Sequence, residues 1–359
     1  MNWAGVSQRL ISSCSSLWHS SALDSTRFAD ALPPGLQSQS RWGLDDRGCG
    51  DSEKQGISDL VEQMLLQGRY ALLMRPQIVR SLAADRRDVA ESALAEAMAY
   101  VPAGDVFVEF WKSTDAEEEF GNPFGRRAAT ESIYLDRFAI TNQQYQVFVT
   151  CGGYLQESLW HRSIWPRVPE LTDQSGCVGP RFWTEGSYHT GGEHHPVVGV
   201  SWFEADAFAR WVGKRLPTDA EWVKAASWPV TTGDCEPIQR KYPWGETMEL
   251  ARCNLWASHL GTTVPVTDFP AGASVNGVRQ MIGNVWEWTT NGLAMFSEEA
   301  GLEFDQPLKS LRGGAFDTYF ESQVSGQLQS GDSPLARRHN IGFRCAISGC
   351  DVVVDNMSA

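Results

Sequence analysis

Residues 283–288 read Gly-Asn-Val-Trp-Glu-Trp, so one carboxylate, Glu287, lies between the indoles of Trp286 and Trp288. In an extended strand the two indoles share one face and the carboxylate points to the other. A glutamate is rarely buried without a partner, because burying it unpaired costs several kcal/mol. Its partner is either an arginine or a set of backbone N–H groups, or a Ca²⁺ ion bound together with loop carbonyls. The hexapeptide alone favours the first alternative.

The other residue types that bind metals are dispersed along the chain. The 8 cysteines include no Cys-x-x-Cys pair, so we expect free thiols in a reducing cytoplasm rather than a disulfide framework. His194 and His195 are adjacent, and neighbours in an extended segment point to opposite sides. We therefore interpret both as hydrogen-bonded structural residues, since a metal site needs a cluster of ligands.

Composition excludes several classes of function. A net charge of −14 disfavours both nucleic acid and anionic membrane surfaces as partners. No apolar run is long enough to span a bilayer, and residues 1–40 lack the pattern of a secretory signal. We therefore expect a cytoplasmic protein. Its 359 residues suffice for one large domain with extensions or for two domains, and the 15 tryptophans suggest a loop-rich fold held by aromatic side chains.

The first part of the chain predicts an arm followed by helices. Residues 1–52 are rich in Ser, Gly and Pro, which is typical of a poorly ordered N-terminal arm. From Ile57 to Leu65 apolar residues recur at helical spacing, and Gly68 marks the predicted end of that helix. A second helix is predicted at 86–99. These segments form a short helical lead-in at 53–97.

From residue 101 the pattern changes to strands and loops. Alternating apolar residues predict strands at 106–110 and 133–140. Thr141 is placed to cap a helix at 142–150, and Ser201 is placed to cap a helix at 202–212. Thr218 and Glu221 form a capping box that predicts the start of another helix. The long segment at 155–196 has no clear period, which is typical of a functional or binding surface.

A series of motifs occurs in one order along this part of the chain. They are Pro-Ala-Gly at 102–104, Ile-Thr-Asn-Gln-Gln-Tyr at 140–145, Pro-Val-Val-Gly-Val-Ser-Trp at 196–202, Arg-Leu-Pro-Thr-Asp-Ala-Glu-Trp at 215–222, Tyr-Pro-Trp-Gly at 242–245, Gly-Asn-Val-Trp-Glu-Trp at 283–288, Leu-Arg-Gly-Gly at 311–314 and Asn-Ile-Gly-Phe-Arg-Cys at 340–345. With these motifs the chain resembles the sulfatase-modifying-factor, or formylglycine-generating-enzyme, family.

The resemblance implies an α+β domain at 98–349 with the fold of that family, a variant of the C-type-lectin fold with little regular secondary structure. The helical lead-in precedes this domain, and a C-terminal tail at 350–359 follows it. Cys345 matches the cysteine of the family's closing motif. Where some members carry its disulfide partner this chain has alanines at 225 and 226, so we interpret Cys345 as a small buried hydrophobe.

The family's redox metals are not expected here. Formylglycine-generating members bind copper through two cysteines shortly after the Gly-Gly of the Arg-Gly-Gly motif, but residues 315–326 contain no cysteine, and Ala315 replaces the usual serine. Because Cu(I) requires soft thiolate ligands, we predict no formylglycine-generating activity. Other relatives in this family, the ergothioneine-type sulfoxide synthases, use iron bound by a His-x-x-x-His-x-Glu motif in an added N-terminal helical domain. Residues 53–100 contain no histidine, so iron is not supported.

Calcium is the one cofactor of the family whose implied ligand positions this sequence largely retains. It implies one set of ligands at Glu287 and the carbonyls of Ile282, Gly283 and Val285. It implies a second set at Asn254, the carbonyl of Leu255, and the region of Asp268 and Phe269. In this chain Asp268 is offset by one from the usual carboxylate position, which Thr267 occupies.

The candidate ligand-binding residues follow the Arg-Gly-Gly motif, and they are Asp317, Tyr319, Glu321, Gln323, Arg337 and His339. Three hypotheses remain open. The first is a regulatory or binding member that recognises a peptide, protein or small molecule. The second is a metal-dependent oxidoreductase acting on a thiol or sulfur compound. The third is a retroelement-diversified binding protein with a variable segment at 316–340, whose mixture of Tyr, Asp, Ser and Arg is typical of adaptable recognition surfaces. We favour the first.

Overall fold

The computed structural model describes residues 60–109, 125–229, 238–293 and 307–354, so the arm predicted at 1–52 lies outside the described residues. Residues 60–66 are helical. The helices that follow are α1 Tyr70–Leu73, α2 Pro76–Val79, α3 Ala84–Ala97, α4 Asn142–Thr150, α5 Trp202–Trp211 and α6 Asp219–Ser227. The strands are β1 Met98–Val101, β2 Gly104–Glu109, β3 Gly125–Thr130, β4 Ile133–Asp136, β5 Trp286–Gly292, β6 Lys309–Arg312, β7 Ser330–Asp332, β8 Ile341–Gly342 and β9 Ala346–Ser348. In this part of the chain no helix is both long enough and apolar enough to cross a membrane.

Local capping sets where the longer helices of the domain begin. The side chains of Thr141, Ser201 and Thr218 each accept a hydrogen bond from the backbone N–H three residues later. The side-chain oxygen at that later position accepts in turn from the backbone N–H of the cap residue. Such a reciprocal pair satisfies two otherwise unpaired donors of the first turn. The predicted starts of α4, α5 and α6 are confirmed, and α4 also ends at the predicted residue.

The strands form three small sheets, with strand orders β1-β4-β9, β2-β3 and β7-β6-β5-β8. In the last of these, β5 pairs antiparallel with β6 and parallel with β8. Glu287 of β5 therefore lies opposite Arg312 on one side and Gly342 on the other. Trp288 is fully buried and Trp286 is partly buried against the same core, as the alternation of residues 286–288 predicted.

The largest core cluster is aromatic and lies between α4, α5 and the long segment at 155–196. The rings of Tyr145 and Phe208 stack at 5.3 Å, and Phe343 from the closing motif meets Phe208 edge-on at 5.5 Å. Aromatic pairs in these arrangements add stability beyond the area they bury. The long segment contains short 3₁₀ turns and isolated β-bridges, because its side chains rather than a hydrogen-bonded ladder attach it to the core.

Several predicted boundaries were wrong, and the two clearest cases are C-terminal ends; in addition, β2 begins at Gly104 rather than 106, α3 at Ala84 rather than 86, and α5 ends at Trp211 rather than 212. The strand predicted at 133–140 ends at Asp136, where the side chain turns into the fold: Asp136 Oδ2 accepts from the backbone N–H of Cys345 at 2.8 Å. The helix predicted at 86–99 ends at Ala97, because Met98 already pairs with Asp136 as the first residue of β1. The apolar run from Tyr70 is helical.

The helical lead-in packs directly on the sheet that contains β4. Leu73, Leu94 and Met98 share a buried cluster with Tyr134 and Ile347. An ion pair reinforces this contact.

In that ion pair, Lys214 Nζ lies 2.6 Å from Asp136 Oδ1 and 2.7 Å from the hydroxyl of Tyr70. Burial raises the pKa of Tyr70 to about 12, so its hydroxyl stays protonated. Burial alone would lower the pKa of Lys214, but the charge of Asp136 raises it above its usual value.

Candidate functional site

Glu287 is neutralised by an arginine in the interior. Arg344 Nε lies 2.7 Å from Glu287 Oε2 and Arg344 Nη2 lies 2.7 Å from Oε1, which is a bidentate pair. The indole N–H of Trp222 donates to Oε2 at 2.8 Å. The side chains of Arg344 and Glu287 are 0% and 1% exposed. Of the alternatives left open for Glu287, this geometry corresponds to the arginine partner.

A second buried carboxylate, Asp219 at the start of α6, joins the same sheet. Its Oδ1 accepts from Thr289 and Ser310 hydroxyls at 2.8 Å each and from Arg312 Nε at 3.1 Å. Its Oδ2 accepts from Gln329 Nε2 at 2.6 Å. Both oxygens of this carboxylate accept hydrogen bonds, so it is a structural anchor between α6, β5 and β6.

Arg337 belongs to a third buried pair and does not join the other candidate ligand-binding residues. Its Nε lies 3.0 Å from Glu204 Oε2, and its Nη1 donates to the Thr172 carbonyl at 2.8 Å. The Arg337 side chain is only 10% exposed. Arg337 thereby fixes the segment at 172–179 to α5. All three guanidinium nitrogens donate to these internal acceptors, so the side chain is not placed to bind a ligand at the surface.

Asp317 lies at the surface with partners from the end of the chain. Asn340 Nδ2 lies 3.0 Å from both carboxylate oxygens of Asp317, and His339 Nε2 lies 3.3 Å from Oδ2. The imidazole of His339 sits between the rings of Phe316 and Phe182, with centroids at 5.7 and 6.3 Å. The Asp317 and His339 side chains are 28% and 60% exposed. We call Asp317, His339 and Asn340 the acidic recess.

Three large rings lie beside the acidic recess and face solvent. Trp256, Tyr319 and Phe320 are 52%, 67% and 59% exposed. Ring centroids are 6.2 Å apart for Trp256 and Tyr319, and 5.1 Å for Tyr319 and Phe320. The backbone N–H of Trp256 donates to the backbone carbonyl of Thr318, next to Asp317, at 3.3 Å, which joins this group to the recess. We call Trp256, Tyr319 and Phe320 the aromatic rim.

Glu321 and Gln323, the remaining candidates, are exposed on the 3₁₀ turn that directly follows the aromatic rim. The structure therefore brings five of the six sequence candidates to one stretch of surface and places Arg337 elsewhere. Sequence reasoning missed Trp256 and Phe320. Both are apolar in loops, and the available signal was an excess of aromatic residues without an apolar period to bury them.

The histidines at 194 and 195 lie where the long segment at 155–196 contacts the loop at 263–266. His195 Nδ1 lies 3.0 Å from the Thr263 hydroxyl, and the His194 carbonyl accepts from Val266 N–H. Burial, followed by the nearby charge of His189, lowers the pKa of His195. Across the described ranges no group of three or more His, Cys, Asp and Glu side chains is arranged to hold a metal ion.

Comparison with known proteins identifies the family. The sulfatase-modifying factor enzyme 1-like domain matches residues 85–348. The chain belongs to this family. Membership confirms the expected class, an α+β domain of the C-type-lectin-like kind with little regular secondary structure.

The chain is similar to two curated proteins and to one solved structure. The hercynine oxygenase of Mycobacterium tuberculosis is 36% identical over 229 residues, which cover 59% of this chain and 52% of that protein. The formylglycine-generating enzyme of Thermomonospora curvata is 32% identical over 297 residues, covering 70% of this chain and 94% of that protein. Among solved structures, Treponema denticola variable protein 1 has a TM-score of 0.48 and 16% identity, covering 70% and 94% of the two chains. This chain spans about half the length of the hercynine oxygenases that it matches.

The positions at which formylglycine-generating members carry copper ligands have no sulfur here. Residues 315–326 contain no cysteine, and Ala315 is buried with its N–H donating to the Thr318 hydroxyl at 2.8 Å. Two cysteines elsewhere, Cys253 and Cys345, are buried. Burial raises the pKa of Cys253 to about 12 and that of Cys345 well above its usual value, so neither is a ready thiolate.

The two candidate calcium sets differ in how well they fit a cation. At the Glu287 set both carboxylate oxygens already face the guanidinium of Arg344, and the Gly283 carbonyl accepts from the Val285 N–H at 2.9 Å. A divalent cation there would be repelled by Arg344, so this set, which also includes the Ile282 carbonyl, does not fit.

At the second calcium set, Asn254 Oδ1 is buried and has no hydrogen-bond partner. The Leu255 carbonyl accepts from Ser258, Asp268 is exposed, and Phe269 has a left-handed backbone with φ 54°. A buried oxygen without a donor suits a cation, because leaving it unsatisfied costs about 1–3 kcal/mol.

Proposed function

We propose that this chain is a ligand-binding member of the sulfatase-modifying-factor family that does not generate formylglycine. The observation that carries the proposal is the composition and exposure of the stretch after the Arg-Gly-Gly motif. In place of thiols it presents Asp317, Tyr319 and Glu321 at the surface. The ligand is a peptide, a protein or a small molecule that meets the acidic recess and the aromatic rim.

The recess has the features of a preformed polar contact. Asn340 donates to both oxygens of Asp317 and so fixes the plane of the carboxylate. The exposed edge of Asp317 can accept further hydrogen bonds, since each carboxylate oxygen accepts more than one. His339 is held by Phe182 and Phe316 and can donate or accept at the same place.

Copper chemistry is not expected from the donor set at this surface. The side chains that occupy it are carboxylate, phenol and amide groups and the single imidazole of His339, whereas Cu(I) is bound by thiolate and thioether sulfur. Of the described cysteines, Cys253 and Cys345 are buried with raised pKa values, and Cys350 is exposed in the 3₁₀ turn after β9.

The test is incubation of the purified protein with copper, oxygen and a sulfatase-type peptide that contains one cysteine. We expect the peptide mass to remain unchanged, while a formylglycine-generating enzyme such as the Thermomonospora curvata relative serves as the positive control. Stoichiometric conversion of the cysteine to an aldehyde by this protein would refute the proposal.

Calcium enters the proposal at the second set only. Asn254 would supply its side-chain oxygen and Leu255 its carbonyl, with Asp268 and the Phe269 region completing the set. Bound calcium there would supply charge that fixes the loop at 254–269, which carries Trp256 of the aromatic rim. The support is the unpartnered, buried Asn254 Oδ1.

A second candidate is metal-dependent oxidation of a thiol or another sulfur compound. It is favoured by the 36% identity with a hercynine oxygenase over 59% of this chain. The corresponding measurement is oxygen uptake by the protein supplied with Fe(II), hercynine and a thiol, with mass analysis of the products. Uptake above the rate of the metal alone, accompanied by a sulfur-containing product, would establish this function in place of the first.

A further inference from the structure

We propose that a cavity beside β2 binds a small organic monocarboxylate, and that Glu109 takes up a proton from solvent when this ligand enters. The cavity uses none of the residues of the acidic recess or the aromatic rim, so the inference goes beyond the proposed function. It depends on the size of the cavity, on a buried guanidinium nitrogen that lacks an acceptor, and on the charges around Glu109.

The cavity lies between the outer edge of β2 and the loop at 239–246. Its volume is about 490 Å³, which is within the range of small-molecule sites. Phe107 and Glu109 line one side and Arg240, Lys241 and Glu246 line the other. A bare inorganic ion would fill only a small part of this volume. The size therefore indicates an organic molecule.

Two glutamine amides hold the wall of the cavity in place. Gln239 Oε1 accepts from the Phe107 N–H at 2.5 Å, and its Nε2 donates to the Phe107 carbonyl at 3.0 Å. Gln327 Oε1 accepts from the Glu109 N–H, and its Nε2 donates to the Phe107 carbonyl, both at 3.1 Å. The amides thus pair with the edge of β2 as a neighbouring strand would. Because they are committed to the backbone, selection of a ligand falls to the charged groups.

Arg312 lies directly behind this wall. Its side chain is 0% exposed, its Nε pairs with Asp219, and its Nη1 donates to the carbonyl of Gln327 at 2.6 Å. Among the described residues, the buried Nη2 of Arg312 has no hydrogen-bond partner. A buried donor without an acceptor is unfavourable, and a guanidinium bonds most strongly to an anionic oxygen. Arg312 therefore provides a buried attachment point for a carboxylate.

Glu109 is the half-buried carboxyl group of the cavity. Burial raises its pKa, and the nearby charge of Arg312 lowers it by a smaller amount. When two carboxylates share one site, one of them is protonated much more readily. A ligand carboxylate next to Glu109 therefore draws a proton onto Glu109, and the protonated group can donate a hydrogen bond to the ligand.

The other charges around Glu109 come from three elements. Arg127 of β3 lies on the same face of the β2–β3 pair, and its Nε lies 3.4 Å from Asp105. The charged groups on the remaining elements are Arg240, Lys241 and Glu246 on the loop and Arg312 on β6. Glu246 is exposed, so solvent screens its charge. The cationic groups outnumber the carboxylates that remain charged once Glu109 is protonated.

A monocarboxylate fits this cavity better than a polyanion. The whole protein has a net charge of −14, so its long-range field repels multiply charged anions. A single carboxylate can bond Arg312 and share the proton of Glu109. The ring of Phe107 and the aliphatic stems of Arg240 and Lys241 offer apolar contact to the body of the ligand.

The test uses para-fluorobenzoate as the probe and follows its fluorine NMR signal during titration with the full chain. We expect neutral para-fluorobenzamide, which has the same shape, to bind at least about tenfold more weakly because it brings no charge. Affinity for para-fluorobenzoate should rise about fivefold or more from about pH 8 to about pH 6, because binding takes up a proton. The probe itself stays ionised in this range, since carboxyl groups titrate near about pH 4.

Variants assign the binding to this cavity. Glu109→Gln keeps a hydrogen-bond donor without the charge, so it should bind the probe about fivefold more tightly at pH 8 and lose the pH dependence. Arg240→Gln should weaken binding about threefold. Glu157→Gln and Arg167→Gln change exposed residues away from the cavity and should bind like the parent. Melting curves verify that each variant is folded.

Three results would overturn the proposal: no change in the fluorine signal at either pH, equal affinity for the benzoate and the benzamide, or an unchanged pH dependence in Glu109→Gln. The pH dependence of the parent needs no substitution, so it decides the matter even if Glu109→Gln fails to fold. The copper assay stays independent, because it concerns residues outside this cavity.

Discussion

Glu287 and Asp317 are carboxylates of the same domain with opposite surroundings. Glu287 is 1% exposed and both of its oxygens accept from Arg344. Asp317 is 28% exposed and its partners are the neutral amide of Asn340 and the exposed His339. The first carboxylate has its charge cancelled inside the fold, whereas the second keeps its charge at a surface lined by aromatic rings.

The difference separates the motifs that define the family from the residues that can meet a ligand. Glu287, Arg344, Asp219 and Arg312 all lie in motifs that identify the family, and all are buried in ion pairs. The exposed residues of the recess and rim lie mainly between those motifs. The motifs therefore build a scaffold, and the stretch after the Arg-Gly-Gly motif is where we propose that a ligand binds.

The buried side of this comparison predicts the largest effect. Arg344→Met leaves Glu287 without its cation inside the fold, so we expect a loss of about 3–5 kcal/mol in the free energy of unfolding. Arg338→Met is the matched control, because Arg338 pairs with Asp332 at 2.8 Å but its side chain is 62% exposed. That control should cost about 1 kcal/mol or less. Equal losses in denaturant unfolding would contradict the assignment of Glu287 as a structural carboxylate.

Local sequence signals predicted the scaffold well because their physics is local. Thr218 and Glu221 lie within one turn, so their capping box could be recognised from spacing alone. The need of Glu287 for a partner was also predictable. Its identity was not, because Arg344 lies 57 residues away and only the pairing of β5 with β8 brings the two strands together.

The candidate site was predicted less completely, for a related reason. Asp317 and Asn340 are 23 residues apart, and nothing local indicates that they meet. Arg337 and Arg338 are adjacent and identical in type, yet the first is buried against Glu204 and the second is exposed. Exposure of Trp256 likewise depends on how the loops pack. Sequence patterns cannot supply these tertiary facts.

A calcium titration sharpens the contrast between the two candidate calcium sets. Ca²⁺ at a hundred times its dissociation constant should add about 2.7 kcal/mol to the free energy of unfolding if the Asn254 set binds it. Asn254→Ala should abolish this response. Glu287→Gln should destabilise the protein but leave the calcium response intact. A response lost in Glu287→Gln and kept in Asn254→Ala would reverse the assignment, and melting curves with and without chelator measure it.

Tyr70 and Tyr319 provide a second comparison between a buried and an exposed polar group, with a smaller expected effect on stability. Tyr70→Phe removes the buried hydroxyl that accepts from Lys214, so we expect a loss of about 1–3 kcal/mol. Tyr319→Phe removes a hydroxyl at a 67% exposed residue and should change stability by less than about 0.5 kcal/mol. Similar values for both variants in urea unfolding would contradict the burial described for the lead-in.

The smallest expected effect concerns pH. Burial lowers the pKa of His195 in the folded state. Below the unfolded-state pKa of about 6.5, the unfolded chain therefore binds a proton at His195 while the folded chain keeps this imidazole neutral. Stability contributed by neutral His195 is therefore present above that pH and decreases as the pH falls towards the folded pKa. Charged and titratable neighbours are His189, Glu193 and Asp268.

Unfolding of His195→Asn should depend less on pH between about 6.5 and 5 than unfolding of the parent. His259→Asn, at an exposed residue, serves as the control. An unchanged pH dependence in His195→Asn would contradict the effect assigned to burial.

The closing motif has a consequence for how the chain acquires its fold during synthesis. Arg344 donates to the carbonyl of Asp136, 208 residues earlier, and the N–H of Cys345 donates to its carboxylate, 209 residues earlier. Contacts so distant in sequence form slowly, because the intervening chain must first be ordered. Until residues 344–348 leave the ribosome, Arg344 cannot pair with Glu287 and β9 cannot pair with β4. Nascent chains that stop short of residue 340 should therefore remain sensitive to protease, and chains a few residues longer should become resistant as one unit.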